Sequence, residues 1–183
     1  GGKVCVKAYG LVQKTYNPHR VLTLTSIMSS SGARYLPEAK ASVRRQLLRR
    51  PADPRDVDCV TDHLVRMFTV IGSPAYRTPP DELRARIRRS VERGYHPAGV
   101  LRQMAAIIAD GDRSARLRSI SCPTLVIHGR ADPLVPFACG VDTAVKIPNS
   151  RLVAIDGFGH DFPAQLFERL AGLIAHHAHE KRP

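Results

Sequence analysis

The chain has 183 residues, and a hydrophobic share of 43% is enough to build the core of one globular unit. No stretch is long and apolar enough to span a bilayer, and the amino terminus lacks a signal-peptide layout, so we expect a cytoplasmic protein without a membrane partner. The formal net charge of +12 would favour binding to nucleic acid if it were gathered on one face. In the runs VRRQLLRRP and RARIRRSVERG, however, the arginines alternate with helical apolar positions. This pattern indicates solvated helix faces and no nucleic-acid partner.

The cysteines are widely spaced and form no CxxC pair. They therefore indicate neither a zinc site nor a disulfide framework, and reduced thiols in a cytoplasm fit them best. No metal and no cofactor is expected. The four residues are Cys5, Cys59, Cys122 and Cys139.

A strand is predicted at 20–26, where the sequence reads RVLTLTS. Its β-branched, nearly continuous apolar character is typical of strands buried on both faces of a parallel sheet. One side of this strand would normally pair with a neighbour that the chain does not supply. We therefore expect an exposed sheet edge there that favours self-association.

The middle of the chain, 34–118, shows only helical periodicity. Apolar stripes at three- and four-residue steps run through 57–71, 83–91 and 100–108. An all-helical insertion between two strands predicts a cap over a site at the strand ends.

The start and the end of the helix around 83–91 are marked by sequence signals. Thr78 before Pro79, Pro80 and Asp81 predicts a capping box with proline at the first helical position, and Gly94 predicts the stop.

Two more strands follow, TLVIHG at 124–129 and RLVAID at 151–156. The segment between them, 137–149, has the length of one crossover helix, and 162–180 is amphipathic. Strand, helix, strand and helix in this order indicate an α/β fold with a parallel sheet.

Two loops carry the candidate catalytic residues. HGRADPLVP leaves the strand at 124–129 and contains Asp132, and GFGHDFP leaves the strand at 151–156 and contains His160. Loops that follow consecutive parallel strands emerge at the same carboxyl edge of a sheet, so these side chains should be neighbours. A carboxylate there can fix the tautomer of the imidazole and leave its other nitrogen free to accept a proton from a nucleophile.

Other polar residues have simpler interpretations. His128, at the end of a strand, is expected to be a core residue, and Asp161 to bond a nearby backbone N–H. The histidines in HHAH at 176–179 are expected at a frayed helix end rather than at a metal. Ser26 and the serines at 29–31 follow a strand, but no GxSxG surrounds them, which argues against a nucleophile.

PTLVIHGRADPLVP, a helix, and then IPNSRLVAIDGFGHDFP resemble the carboxyl-terminal half of the α/β-hydrolase superfamily over about 120–179. Among its branches, the chain is most similar to small bacterial esterases of the aclacinomycin methylesterase type and to the cofactor-free haloperoxidases. The resemblance implies that Asp132 is the acid and His160 the general base of a catalytic triad.

The resemblance also implies a serine that the chain does not contain. Gly1 and Gly2 look like the last two glycines of a GxSxGG motif, which would place the serine two positions before Gly1. The segment before the strand is longer than usual and carries lysine where small or apolar residues are typical.

Together these observations predict a truncated α/β-hydrolase with three domains or segments. Residues 1–33 would form the helix and strand after the nucleophile elbow, 34–118 the helical cap, and 119–183 the carboxyl-terminal αβ core with its few-stranded parallel sheet.

The expected function is hydrolysis of a small-molecule carboxylic ester, by a chain that lacks its serine and is inactive alone. Two alternatives remain open at this point. One is a cofactor-free haloperoxidase or perhydrolase that uses the same residues, and the other is a non-enzymatic basic binding protein that owes its behaviour to the arginine runs.

Overall fold

Three parallel strands form the sheet in the computed structural model, which describes residues 23–179. They are β1 (Leu24–Ile27), β2 (Thr124–Gly129) and β3 (Ser150–Ile155). Their order is β1-β2-β3, with Leu24 opposite Thr124 and Thr124 opposite Ser150. The central strand is buried along its whole length, as its continuous apolar run requires.

The predicted ends of the strands agree with the structure to within one residue wherever both lie among the described residues. β2 has the predicted bounds, and β3 begins and ends one residue before the predicted 151–156. β1 starts at Leu24, and the part of its prediction that precedes residue 23 lies outside the described residues.

Five helices separate β1 from β2. They are α1 (Ala41–Leu48), α2 (Val57–Ile71), α3 (Pro80–Arg93), α4 (Pro97–Asp110) and α5 (Ser114–Arg118). We call these helices and their connections the helical insertion. Two helices flank the rest of the sheet: α6 (Phe137–Lys146) joins β2 to β3, and α7 (Phe167–His179) follows β3 after a 3₁₀ turn at Ala164–Leu166.

The helices α2 and α3 pack against each other through a core of their own. Val60 of α2 and Leu83, Ile87 and Val91 of α3 are all buried in it. The side of α3 that faces α2 also carries Arg84, which pairs with carboxylates of α2. Part of the arginine run therefore joins two helices, in addition to meeting solvent.

The capping box predicted at Thr78 is wrong. The cap residue of α3 is Pro79, and Pro80 is the first helical residue, so the threonine lies one position too early for its hydroxyl to reach the free N–H groups. Its Oγ1 is buried without a hydrogen-bond partner in the described part of the chain. The predicted stop is confirmed, because α3 ends at Arg93 and Gly94 follows with φ of 154°.

The helix α4 leaves its apolar stripe in solvent. None of its residues is buried, and the exposed fraction of Ile108 reaches 76%. The periodicity correctly predicts a helix here, but within residues 23–179 no element covers its apolar side.

The main core lies between the sheet and α7. Leu125 and Ile127 of β2 and Ile155 of β3 belong to one buried cluster with Phe158, which lies two residues before His160. Phe158 is completely buried, so this core fixes the start of the loop that carries His160.

Candidate active site

Asp132 is fixed by the loop that follows β2. Its Oδ1 accepts hydrogen bonds from the backbone N–H groups of Leu134, at 2.9 Å, and Val135, at 2.8 Å. The carboxylate is completely buried, so its second oxygen, Oδ2, is the one left for another partner.

That partner is His160, whose Nδ1 lies 2.7 Å from Asp132 Oδ2. A carboxylate oxygen accepts in such a bond, so the hydrogen lies on Nδ1, and Nε2 is the ring nitrogen left for another partner. The imidazole is 17% exposed, against 0% for the carboxylate. The predicted proximity of the two side chains is confirmed, whereas their catalytic role stays a prediction.

The cleft beside His160 has a volume of about 290 Å³. Its lining is mostly apolar and comes from the helical insertion, from the end of β1 and from the His160 loop. No serine or cysteine of the described ranges is among the lining residues, which are Met28, Phe68, Arg86, His160, Asp161 and Phe162.

One cation, Arg86 of α3, lines this cleft. Its Nη1 donates to the carbonyl of Phe162 at 3.3 Å, and no carboxylate within residues 23–179 forms an ion pair with it. A half-buried guanidinium without such a pair retains capacity to bind an anion.

His128 is a core residue, as expected. Its ring is completely buried, and Nε2 donates to the carbonyl of Val135 at 2.8 Å. Burial lowers the pKa of His128, although the bond to Val135 and the charge of Asp132, 3.7 Å away, act in the opposite direction. The ring is therefore neutral, and it packs behind the carboxylate.

Asp161 does not bond locally, contrary to expectation. Its Oδ1 accepts from the backbone N–H of Ser73, at 2.9 Å, and from the Ser73 hydroxyl, at 2.5 Å. Ser73 follows α2, so the partner belongs to the helical insertion and is 88 residues distant in sequence. Sequence spacing cannot reveal such a contact.

The serines after β1 take part in structural contacts. Ser26 and Ser29 bond each other through their hydroxyls at 2.5 Å, and the buried Ser31 donates to Asp142 of α6 at 2.5 Å. None of them lines the cleft, in agreement with the argument against a nucleophile there.

The histidines near the carboxyl terminus are not all at a frayed end. His177 is only 3% exposed, and its Nε2 donates to the carbonyl of Leu24 in β1 at 3.1 Å. The expectation is wrong for this residue because α7 packs its last turn on the sheet. No group of three or more metal-ligating side chains was found in the described part of the chain.

Sequence reasoning missed Ser73, Arg86 and Met28. The first two come to the site only through the packing of the helical insertion, and GSP after a helix is an ordinary loop signal. Met28 is buried with φ of 47°, a left-handed conformation uncommon for a non-glycine residue, and nothing in the sequence marks it.

The parallel sheet, the helical insertion before β2, the acid after β2 and the histidine after β3 define the carboxyl-terminal part of the α/β-hydrolase fold. The resemblance of the chain to this superfamily is confirmed, and so is its fold class. The position of the nucleophile elbow at Gly1 and Gly2 lies outside the described residues.

Comparison with known proteins agrees. The chain is 29% identical over 149 residues to a 2-hydroxy-6-oxononadienedioate/2-hydroxy-6-oxononatrienedioate hydrolase of Cupriavidus pinatubonensis, in a match that covers 79% of the chain and 49% of the relative. It is 37% identical over 65 residues to the rhodomycin D methylesterase DauP of a Streptomyces species, covering 36% of the chain and 22% of that protein. No protein-family model matches.

Solved structures show the same fold at low identity. The 2-hydroxy-6-oxo-6-phenylhexa-2,4-dienoate hydrolase of a Rhodococcus species superposes with a TM-score of 0.69 at 20% identity, over 97% of this chain and 62% of that one. An esterase of Exiguobacterium antarcticum gives 0.63 at 16% identity, over 92% and 62%. The chain thus spans about half the length of the first of these curated relatives and about three fifths of these structures. Among residues 23–179 no helix has the length and apolar character that a membrane span requires.

Proposed function

We propose that Asp132 and His160 are the acid and the base of a serine-type hydrolase that cleaves small-molecule carboxylic esters. The observation that carries this proposal is the 2.7 Å bond between Asp132 Oδ2 and His160 Nδ1, beside a cleft that could hold a small ester. The esterase names of several relatives support the class of reaction.

On this proposal each group has a step in the reaction. An alcohol attacks the ester carbonyl while His160 Nε2 takes its proton, and the buried charge of Asp132 stabilises the imidazolium that forms. The same nitrogen then returns the proton to the leaving alcohol, and water repeats the sequence to release the acid. General-base assistance of this kind contributes about 10²- to 10⁴-fold to the rate.

The attacking alcohol and the oxyanion donors, on this proposal, lie outside residues 23–179. Its support is the absence of serine and cysteine from the described residues that line the cleft, together with the chain order of triads in the superfamily. Residues 1–22 contain no serine either. Residues 1–183 alone should therefore hydrolyse no ester, because loss of a triad serine in an unrelated hydrolase costs on the order of 10⁶ in turnover.

A p-nitrophenyl acetate assay that compares the purified chain with His160→Ala tests the expected inactivity of residues 1–183 alone. We expect equal, background rates. Turnover that depends on His160 would show that the nucleophile lies within the chain.

The DNA immediately upstream of the Gly1 codon tests the proposal that Asp132 and His160 act with a serine. An in-frame Gly-x-Ser-x should precede Gly1, and the longer product should hydrolyse the ester in a manner that depends on His160. The absence of such a reading frame, or turnover of the longer product that survives His160→Ala, would overturn the assignment.

Arg86 favours a second candidate, hydrolysis of a substrate that carries a free carboxylate. The Cupriavidus relative is named for a dioate, a dicarboxylate. Adipate should shift the amide NMR signals of the cleft in the wild type and not in Arg86→Met, whereas neutral adipamide should shift them in neither. Equal shifts by adipate and adipamide would exclude this candidate.

A further inference from the structure

The loop that carries His160 is held from both sides by one hydroxyl group of the helical insertion. Ser73 Oγ donates to Asp161 Oδ1 at 2.5 Å and accepts from the backbone N–H of Gly159 at 2.9 Å. The two partners are the residues directly before and after His160. Ser73 is 2% exposed, so water does not readily replace these bonds.

Backbone contacts reinforce the same junction. The N–H of His160 donates to the carbonyl of Ile71, the last residue of α2, at 2.7 Å. A Cβ at Gly159 would lie 2.5 Å from the carbonyl atoms of Gly72, so the two segments are as close as their backbones allow. The imidazole is thus attached to the end of α2 as well as to β3.

We infer that Ser73 and Asp161 are positioning residues that hold the His160 imidazole in its bond to Asp132 and couple it to the helical insertion. The inference rests on the proposed function, since the orientation of the ring matters for catalysis only if His160 is the base. Without the Ser73 hydroxyl, the N–H of Gly159 loses its acceptor, and a buried donor without an acceptor is unfavourable. The loop then leaves this geometry, and the ring leaves Asp132 with it.

The coupling has a second basis in the cleft. Phe68 of α2 and Arg86 of α3 line it together with His160 and Asp161. A substrate that contacts these side chains therefore contacts the helical insertion, which also holds the His160 loop through Ser73.

The test compares Ser73→Ala with Ser114→Ala. Like Ser73 with Asp161, Ser114 donates from its N–H, at 2.8 Å, and from its hydroxyl, at 2.5 Å, to one oxygen of an aspartate, Asp112 Oδ1. Ser114 lies at the start of α5 and is not among the residues that line the cleft. The readouts are the exchange rate of the His160 Nδ1–H proton in long-range ¹H–¹⁵N NMR spectra and hydrogen exchange of the peptide 157–162. The peptide 124–129 reports global unfolding.

In Ser73→Ala we expect Nδ1–H and the 157–162 amides to exchange about tenfold faster, the factor for loss of one ordinary hydrogen bond. Ser114→Ala should leave both unchanged. Rates in Ser73→Ala within twofold of the wild type, or an equal increase in Ser114→Ala, would overturn the inference.

If Ser73→Ala also accelerates exchange of 124–129, the fold as a whole has loosened, and Asp161→Asn and Ser73→Thr decide. Asn keeps the shape of the side chain but accepts more weakly, so it should accelerate Nδ1–H exchange alone; no change would overturn the inference. Thr keeps the hydroxyl and should restore the wild-type rate, and failure to do so would count against the hydroxyl.

None of these readouts needs turnover. A fixed ring in Ser73→Ala would remove the positioning role and leave the esterase proposal intact. An upstream-extended product whose turnover does not depend on His160 would overturn the esterase proposal, while the exchange rates would still report whether Ser73 holds the ring.

Discussion

Asp132 and His160 are joined by a 2.7 Å hydrogen bond in which one carboxylate oxygen holds the imidazole while the other is saturated by two backbone N–H groups. This division of labour between the two oxygens means that the loop and the histidine do not compete for the same atom. A substitution at Asp132 can therefore weaken the bond to the imidazole while the two backbone bonds that hold the loop after β2 remain.

Asp132→Asn should keep the bonds to the loop and weaken the interaction with His160. The Asn oxygen can still accept from Leu134 and Val135, so the fold is retained, but the charge that fixes the imidazole tautomer is lost. In an upstream-extended, active form we expect kcat to fall about 10⁴-fold, by analogy with the same change in a serine protease. Steady-state kinetics with p-nitrophenyl acetate measure it, and a fall below tenfold would contradict the role of the acid.

Stability should depend on pH through His128. Burial lowers the pKa of this histidine below its value in the unfolded chain, so the unfolded state binds the proton more readily. The free energy of unfolding should be constant above pH ~6.5 and fall at lower pH. The fall is at most about 1.4 kcal/mol per pH unit for each proton bound. Burial also lowers the pKa of His63, with help from Arg66 and Arg49, and this histidine adds to the effect. Urea titrations of the wild type and His128→Gln between pH 5 and 8 should show a shallower slope for the variant, and parallel slopes would refute it.

Two helical glycines should respond in opposite directions to alanine. A Cβ at Gly140 in α6 would lie 2.4 Å from Nδ1 of the buried His128, whereas a Cβ at Gly172 in α7 meets nothing within 4 Å. We expect Gly140→Ala to cost about 1–3 kcal/mol by overpacking and Gly172→Ala to add about 0.5–1 kcal/mol through helix propensity. Chemical denaturation of both variants checks the signs, and a neutral Gly140→Ala would show that the ring can move.

The pairing of α2 with α3 should matter for stability, and the apolar stripe of α4 should not. Ile87→Ala removes a side chain that is 5% exposed and should cost about 2–5 kcal/mol. Ile108→Ala, at 76% exposed, should stay within about 0.5 kcal/mol. A large cost for Ile108→Ala would mean that another segment or another copy of the chain covers α4.

Self-association through the edge of β1 that no strand of residues 23–179 pairs should be sensitive to Thr25. The N–H of Leu24 donates to Pro123, just before β2, and that of Met28 donates to Ile127 of β2. By alternation the N–H of Thr25 therefore points away from β2, to the side that no strand of the described residues pairs. Thr25→Pro removes that donor and should shift size-exclusion elution toward the monomer, whereas Ser26→Pro should instead weaken the bond to β2. A sharp monomer peak for the wild type at all concentrations would argue against the edge as an interface.

The sequence predicts the strands and the pair Asp132 and His160 because both depend on local signals. Buried parallel strands leave continuous apolar runs, and the order of the loops after them places acid and histidine at one sheet edge. Ser73, Arg86 and the true partner of Asp161 depend on how the helical insertion folds back, which no local pattern encodes. The same holds for His177, whose burial follows from the docking of α7 on β1.

The junction between α2 and the His160 loop limits how such proteins can be recombined. A Cβ at Gly157 would lie 2.2 Å from the side chain of Ala75, and one at Gly159 would collide with the Gly72 backbone. A chimaera that exchanges the helices for those of a relative must therefore bring residues 71–75 and 157–161 as a matched set. The unit of inheritance at this site is a pair of segments that are distant in sequence.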